Sequence, residues 1–558
     1  MRKNRLNICV GQCLRNSLAG LLSFALAFCL VGASSVSAQL PQTRLYSIAP
    51  MGSKAGVTLD VKVTNGADLD ELNSLLFNHP GIKAVPKTQD SGGKQVPVAN
   101  TFAVTVAANV PPGTYEARTA GLFGLSNPRS FEVGDRDEIA EAEGNNTREQ
   151  AQEIKQNVVV NSVIGGATDI DFYRIEGKKG QRILVSCRAI QLDSRLSATL
   201  GLYDANGRRL SYTRGDSRND PLLDVTLPAD GQFFVKVHDF LYRGGADYGY
   251  RLIAGTGPHI DYVLPPSGTP GSTSTYTLFG RNLPGGQDAG VKLNGKPLQK
   301  LNVSIALPKD ESTLQTSVLL PSAEAAIDAI SYVHKSPSGS SNPVQIYLAT
   351  APVLVEKEPN DEVAQAQQVT VPAEIGGQFQ ARGDTDYFDF TAKTGEVYYI
   401  EVFGQRSGGS ADPYFTLEQV TKNDKGVESV KRITIQDDNT KNLSPNVFDT
   451  ITDDPVYRFQ VPADSTYRVM LRDRYFEVRG YPNLVYRLSI RRENPDFRVV
   501  AVPTPPTAAA TSIAQSWSVA VRKGDNVKID LLAFRQDGFN GTIDVTVEGL
   551  PKGVVCKG

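Results

Sequence analysis

The sequence predicts an all-β protein, a string of tandem β-sandwiches behind an N-terminal export signal. Runs such as "VYYIEVFG", "RILVSCRAI", "FFVKVHD" and "YRVML" are rich in β-branched and aromatic residues and are bounded by Gly, Pro, Asn and Asp. Several alternate apolar with polar residues, as sheets with one buried face do. The 558 residues include 50 Gly and 33 Pro, which suits short strands joined by many turns, and 40% are apolar, enough for several packed cores. Helical patterns are short, chiefly "TREQAQEI" and "DEVAQAQQ".

Residues 1–38 differ from the rest. Arg2, Lys3, Arg5 and Arg15 precede the apolar run "SLAGLLSFALAFCLV", and small residues follow at Val36 and Ala38. This is the pattern of a secretory signal peptide cut after Ala38, so the mature chain is expected to be exported: extracellular, cell-surface or periplasmic. The run falls short of the roughly 20 residues that span a bilayer, which disfavours an anchor. Phe28 disfavours lipid attachment at Cys29. No second long apolar run follows, so no transmembrane segment is expected in the mature chain.

Export also bounds the chemistry. Cys9, Cys13 and Cys29 leave with the signal, and Cys187 and Cys556 alone do not make a disulfide framework or a zinc site. Of 58 Lys and Arg, the signal removes four and leaves 54 against 60 Asp and Glu, a net charge of −6 with no basic block. Nucleic acid is therefore not an expected partner.

The strongest feature is internal repetition, the signature of a duplicated structural unit. "SNP" occurs at 126–128 and 341–343, and Glu143/Glu358, Asn145/Asn360, Ala151/Ala366, Asp169/Asp384, Asp171/Asp386 and Gly180/Gly395 are each 215 apart. The offset grows to 234 where "NDPLLDVTLPADGQFFVKVHD" (219–239) meets "DDPVYRFQVPADSTYRVMLRD" (453–473), then to 236 for "RGGADYGYRL" and "RGYPNLVYRL". The second copy thus carries about nineteen extra residues, placed by sequence in the polar stretch 421–450 and expected in a surface loop. Ahead of each copy lies a strand, turn, strand pattern, "YSIAPMGSKAGVTLDVKV" (46–63) and "DYVLPPSGTPGSTSTYTLFG" (261–280).

The pieces "EKEPNDEVAQA", "GDTDYFDF", "TGEVYYIEV", "VPADSTYRVMLRD" and "YRL", in that order, resemble the bacterial pre-peptidase C-terminal (PPC) domain. So do "EAEGNNTREQA", "ATDIDFYRI", "KGQRILVSC", "LPADGQFFVKVHD" and "YRL" in the first copy. That family is a β-sandwich appended to many secreted proteases and related to the collagen-binding modules of collagenases. The segments ahead of each copy resemble IPT/TIG-type Ig-like domains. The expected organisation is therefore signal peptide 1–38, Ig-like 39–134, PPC-like 135–257, Ig-like 258–350, PPC-like 351–495 and an incomplete Ig-like segment 496–558. Because that last segment has too few strands to close a sandwich, the chain is expected to be part of a longer protein.

"EKEPNDEVAQA" places Glu356, Glu358, Asn360 and Asp361 within six residues. Residues two apart in an extended segment face the same side, so Glu356, Glu358 and Asn360 present oxygens in a row, and Asp384 and Asp386 form a second such pair. Calcium takes six to eight hard oxygen ligands. In the collagen-binding modules the corresponding acidic segment and Asp pair bind calcium, so the resemblance implies calcium held by Glu356, Glu358, Asn360, Asp361, Asp384 and Asp386. The first copy offers Glu141, Glu143, Asn145, Asn146, Asp169 and Asp171. Asn146 there replaces Asp361 and Gly144 replaces Pro359, so weaker binding is expected. The plainer reading is that Asn and Asp cap the short helices, with "NTRE" at 146–149 as a capping box.

Other motifs carry less. "RGD" at 382–384 is a short adhesion tripeptide without a counterpart in the first copy. Asp437, Asp438, Asp449, Asp453 and Asp454 make an acidic stretch that reads as a solvated loop, with Asp454 matched to Asp220 in a shared turn. The four His (His79, His238, His259, His334) form no HExxH, and no GxSxG is present; His238 beside Asp239 lies on a strand, where neighbours face opposite ways. The expected function is thus that of non-catalytic accessory, binding or scaffold modules outside the cytoplasm. Its partner would be an extracellular protein or polysaccharide. The alternatives are the accessory part of a secreted serine protease, or an adhesin touching fibres or polysaccharide through tyrosines such as Tyr398, Tyr475 or Tyr481.

Overall fold

The computed structural model describes residues 41–215, 219–310, 314, 322–445, 447–503, 519, 521 and 523–556; the predicted signal segment lies outside them. The described chain is all-β, four sheet pairs in tandem followed by a two-stranded sheet.

The first pair stacks the sheet Arg44–Ala49, Thr58–Ala67, Lys94–Val106, Ile82–Ser91 on the sheet Gly52–Lys54, Arg129–Gly134, Gly113–Gly121, Ser74–Phe77. Leu45, Val61, Phe102, Val104, Ala117 and Phe131 fill the space between. The third pair repeats the plan with His259–Leu264, Thr273–Arg281, Lys296–Ala306 and Gln287–Leu293 against Ser267–Gly268, Val344–Leu348 and Ala329–Tyr332. The duplicated "SNP" has a physical role in both. Asn127 accepts the Leu45 N–H at 2.9 Å and donates to the Leu45 carbonyl at 2.8 Å, and Asn342 does the same with Ile260 at 2.8 and 2.9 Å. Each amide replaces a missing strand neighbour for the first strand of its pair.

The second and fourth pairs match strand for strand. In the second, one sheet runs Glu138–Ala140, Val159–Val163, Gly249–Gly255, Arg182–Arg188, Leu222–Thr226, and the other runs Gln152–Glu153, Asp171–Gly177, Gly231–Asp239, Ala198–Asp204, Arg209–Arg214. In the fourth, the sheets are Val353–Val355, Ala373–Gln378, Val485–Arg492, Val397–Phe403, Val456–Gln460 and Gln367–Val369, Asp386–Ala392, Ser465–Asp473, Pro413–Lys422, Glu428–Gln436. Their cores are the two largest among the described residues, built on Tyr173, Ile183, Leu200, Val235 and Leu252 in one and Phe388, Ile400, Phe415, Val469 and Leu488 in the other.

Part of the insertion is not loop. The hairpin of Ala198–Asp204 with Arg209–Arg214 becomes the longer Pro413–Lys422 with Glu428–Gln436, because "VESVKRITIQ" continues the ladder instead of turning away. Asp220 and Asp454 do share a turn. Each accepts three successive backbone N–H groups, from Ala189, Ile190 and Gln191 or from Gly404, Gln405 and Arg406, and so caps a three-residue 3-10 helix.

A buried arginine joins each odd pair to the next. Arg251 donates to Glu132 of the first pair at 2.8 Å and to Glu138 at 2.7 Å. Arg487, its counterpart 236 residues on, bonds Glu374 at 2.9 Å and lies 4.8 Å over the ring of Tyr347 from the third pair. The closing strands Asp496–Pro503 and Ile529–Gln536 pair only with each other among the described residues. Cys187 is buried, Cys556 is exposed, and the two are not bonded to each other.

Candidate metal centre

Glu356 immediately follows the edge strand Val353–Val355 and its N–H continues the ladder to the Gly376 carbonyl at 3.0 Å. Asp386 opens the strand Asp386–Ala392 in the opposite sheet. Packing one sheet on the other brings these two points together at one end of the sandwich. Carboxylate oxygens of Glu356, Glu358 and Asp386 lie within 4.8 Å of one another.

The hydrogen-bond inventory of this cluster is incomplete in a specific way. Glu356 Oε1 accepts from Tyr486 at 2.7 Å and from the Asn360 amide at 3.1 Å, and its Oε2 accepts the Gln378 N–H at 3.0 Å. Glu358 accepts the Asn360 N–H at 3.2 Å and the Gln380 side chain at 2.5 Å. Asp384 accepts one N–H, from Ala381 at 3.3 Å, and Asp361 accepts the Thr385 N–H at 3.2 Å. Both oxygens of Asp386, Oδ1 of Asp384 and Oδ1 of Asn360 are buried with no partner. Asp386 and Asn360 are 0% exposed and Asp384 4%. An unpaired buried carboxylate is costly, and a fold that buries Asp384 and Asp386 beside half-buried Glu356 needs something positive or a proton among them. The titration follows: burial, then Glu358 and Glu356, pushes the Asp384 carboxyl up to about 7. Burial and Glu356 hold Asp386 well above the usual carboxylate range. A hard divalent cation taking carboxylate and amide oxygens fits this donor set.

The first copy is built alike but converges less. Glu141 follows Glu138–Ala140 and Asp171 opens Asp171–Gly177. Glu143 and Asn146 are exposed, Asn145 is buried with Oδ1 unpartnered, and Asp169 spends both oxygens on backbone, from Gly165 at 2.6 Å and Ile170 at 2.9 Å. Burial, then Glu141, pushes Asp171 up to about 9.

Helix capping does not account for either cluster. The helices shrink to three-residue 3-10 turns, Arg148–Gln150 and Val363–Gln365, whose N-caps are Thr147 and Glu362, neither making a side-chain cap bond. The "NTRE" capping box is therefore not formed. Of the predicted residues, Glu356, Glu358, Asn360, Asp384 and Asp386 come together, and Asp361 braces the loop of Asp384. Tyr486, the Gln378 N–H and Gln380 were missed. The paired offset of "YGYRL" and "LVYRL" was the available signal for Tyr486.

Other candidates resolve differently. The aspartate of "RGD" is buried Asp384, and Arg382 is bonded to the Glu477 carbonyl, so the tripeptide is not displayed. His238 does not face a carboxylate: its Nδ1 lies 2.9 Å from the Asp239 backbone carbonyl and its ring stacks on Tyr242 at 4.6 Å. Tyr398, which the sequence offered either as a contact residue or as core packing, is 2% exposed because it shares the inward face with Ile400 and Val402. Tyr475 and Tyr481 are exposed. In the insertion, Asp437 and Asp438 meet Asp412 at the sandwich rim, Asp449 accepts Asn442 at 2.6 Å, and Asp453 accepts Gln405 at 2.5 Å.

No protein-family model matches the chain. A probable subtilase-type serine protease of Deinococcus radiodurans is 29% identical over 127 residues, 22% of this chain and 17% of that protein, so the chain spans a small part of this relative. Among solved structures, the pre-peptidase C-terminal domain of a collagenase from Bacillus anthracis aligns with 17% identity and a TM-score of 0.16, over 20% of this chain and 99% of that one. The SGBP-B protein of a Bacteroides ovatus mixed-linkage glucan utilization locus aligns with 10% identity and a TM-score of 0.14, over 81% of this chain and 76% of that one. Among the described residues no helix is long and apolar enough to cross a membrane.

Proposed function

We propose that the chain is an exported, non-catalytic accessory protein whose second and fourth sheet pairs are PPC-type modules. In the fourth, calcium held by Glu356, Glu358, Asn360, Asp361, Asp384 and Asp386 stiffens one end. The observation that supports this is Asp386, fully buried, facing Glu356, with neither carboxylate oxygen partnered. Calcium would offset part of the cluster's negative charge and tie the loop of Asp361 to the loop of Asp384.

The stiffened loop adjoins a surface suited to contact. Gly383 donates to the Phe476 carbonyl at 2.8 Å, so the segment carrying exposed Tyr475, Val478 and Tyr481 rests on the loop of Asp384. The first copy exposes Phe240, Leu241 and Tyr242 at the matching place, with Thr168 bonded to the Tyr242 carbonyl. Such side chains suit attachment to a polysaccharide or a protein fibre. A role beside a secreted protease domain is the alternative, favoured by the partial likeness to the subtilase-type protein.

The test is a thermal melt of the whole chain in EDTA and in calcium. With a dissociation constant of about 10⁻⁴ M, ~10 mM calcium adds roughly 2.7 kcal/mol. That raises the transition of the fourth pair by roughly 5–15 °C. The rise is expected to vanish in Asp386→Asn; an equal rise in that variant, or none in the wild type, refutes the site.

A further inference from the structure

Apart from Asn146 in place of Asp361, the two acidic clusters share their ligand types, and two flanking residues differ as well. Ser162 of the first copy is Gly377 in the second, and Tyr173 is Phe388, both at the offset of 215. Each difference places a hydroxyl in the first copy where the second has none.

Both hydroxyls are aimed at the same carboxylate. Ser162 Oγ donates to Glu141 Oε2 at 2.6 Å, and the Tyr173 hydroxyl donates to Glu141 Oε1 at 3.1 Å. The Tyr173 hydroxyl also lies 2.8 Å from that of Tyr250, which donates to Asp171 Oδ2. A connected chain of O–H groups thus runs from Glu141 to Asp171, along the line where a shared cation would sit. Asp169 accepts one backbone N–H on each oxygen, from Gly165 and Ile170, whereas Asp384 accepts a single one and leaves Oδ1 without a partner. In the second copy the Tyr486 hydroxyl donates to Glu356 Oε1 at 2.7 Å, and neither oxygen of Asp386 accepts a hydrogen bond of ordinary geometry. The contrast extends to the whole cluster: four buried ligand-type oxygens lack partners there, Asn360 Oδ1, Asp384 Oδ1 and both of Asp386, against Asn145 Oδ1 and Asp171 Oδ1 in the first copy. Only the second copy gathers three carboxylates within 4.8 Å among the described residues.

We propose that one cluster of the two holds a divalent cation, the one at Asp386, and that the first copy has replaced its cation with the Ser162, Tyr173, Tyr250 hydroxyl network. The clusters then do the same mechanical job by different means: one depends on external calcium and the other does not. This rests on the calcium reading above. A hydrogen bond to a carboxylate occupies a lone pair that a cation would need, and a cation entering the first copy would have to break three such bonds at once.

The experiment is calorimetric titration of calcium chloride into the EDTA-stripped full chain, with near-ultraviolet dichroism to check folding. One ion per chain is expected, lost in Asp386→Asn and kept in Asp171→Asn. Ser162→Gly with Tyr173→Phe, which writes the second copy's residues into the first, should raise the count to two. Phe388→Tyr, which adds only the hydroxyl, should weaken the single site tenfold or more. Two ions in the wild type, or one ion lost in Asp171→Asn, overturns the inference and leaves the calcium reading standing. No ion overturns both. A folded Ser162→Gly/Tyr173→Phe chain that still takes one ion, together with an unaltered affinity in Phe388→Tyr, also overturns it.

Discussion

Arg468→Phe is the sharpest test of how the fourth pair is held together. Arg468 is 2% exposed and sits directly across the ladder from Asp389. Its guanidinium grips that carboxylate at 2.7 and 2.8 Å and reaches Glu428 at 3.1 Å. Removing the cation strands Asp389, itself 6% exposed, without its partner. Breaking a buried pair in this way costs about 3–5 kcal/mol. For a sandwich of this size that lowers its transition by roughly 8–15 °C. The first copy supplies the control, since its cross-strand pair at the same place is Arg174 and Phe234, with Arg174 turned to Glu153 at 2.6 Å. Writing that pair into the second copy as Asp389→Arg/Arg468→Phe should recover at least half of the loss. Scanning calorimetry of both variants reads the effect. A single variant within about 1 kcal/mol of wild type, or a double variant as unstable as the single, refutes the claim that the loss comes from a stranded charge.

Glu324 is buried beside Asp454 and Arg406, and burial pushes its carboxyl up to about 7. Its folded pKa exceeds its unfolded one, so its contribution is fully present below about pH 4.5 and is lost as pH rises through about 7. Glu324→Gln should flatten the stability profile between those values; an unchanged slope in chemical denaturation would refute the assignment. Without calcium, the raised Asp384 and Asp386 carboxyls should likewise make the chain less stable at pH 8 than at pH 5, and saturating calcium should remove or reverse that difference in melts. Gly377→Ala should destroy the cluster at Asp386, because the added Cβ would meet the Tyr486 ring at 2.4 Å and Glu356 Oε2 at 2.8 Å; titration should find no high-affinity calcium. In the chain from residue 39 onward, a thiol reagent should label one cysteine of two while the protein is folded, Cys556, because Cys187 is buried and its thiol is pushed up by burial.

Much of this architecture was written in short-range patterns. Strands announced themselves through branched and aromatic runs, and a constant offset exposed the repeat because both copies keep the same turn and edge residues. The acidic cluster was legible for a related reason: Glu356, Glu358 and Asn360 are close in sequence, and Asp384 and Asp386 recur with them. What stayed hidden depends on distant packing. Nothing near Glu356 announces Tyr486, which arrives from 130 residues away. The helix caps were misjudged because two turns carrying Asn, Asp or Thr ahead of a helix-like run, but too short for an α-helix, look like helix starts. Tyr398 was open to two readings, contact or core packing, and its own strand favoured the core through the alternation with Ile400 and Val402. The longer hairpin at Glu428–Gln436 was taken for loop because six of its nine residues are polar and, on this edge strand, Val430 and Ile435 are exposed while Ile433 packs on the core.

The buried arginines at 251 and 487 bear on where this chain divides. Each belongs by sequence to an even-numbered sandwich but finds part of its surroundings in the odd-numbered one before it, Glu132 for the former and Tyr347 for the latter. Duplication therefore copied a hinge-pin together with the two plates it fastens, and the inherited piece is the couple, not the single module. Anyone isolating the fourth sheet pair should begin near residue 258, not 351. A cut at the later point would leave Arg487 without the ring it covers, and the instability that followed would be mistaken for a missing ion.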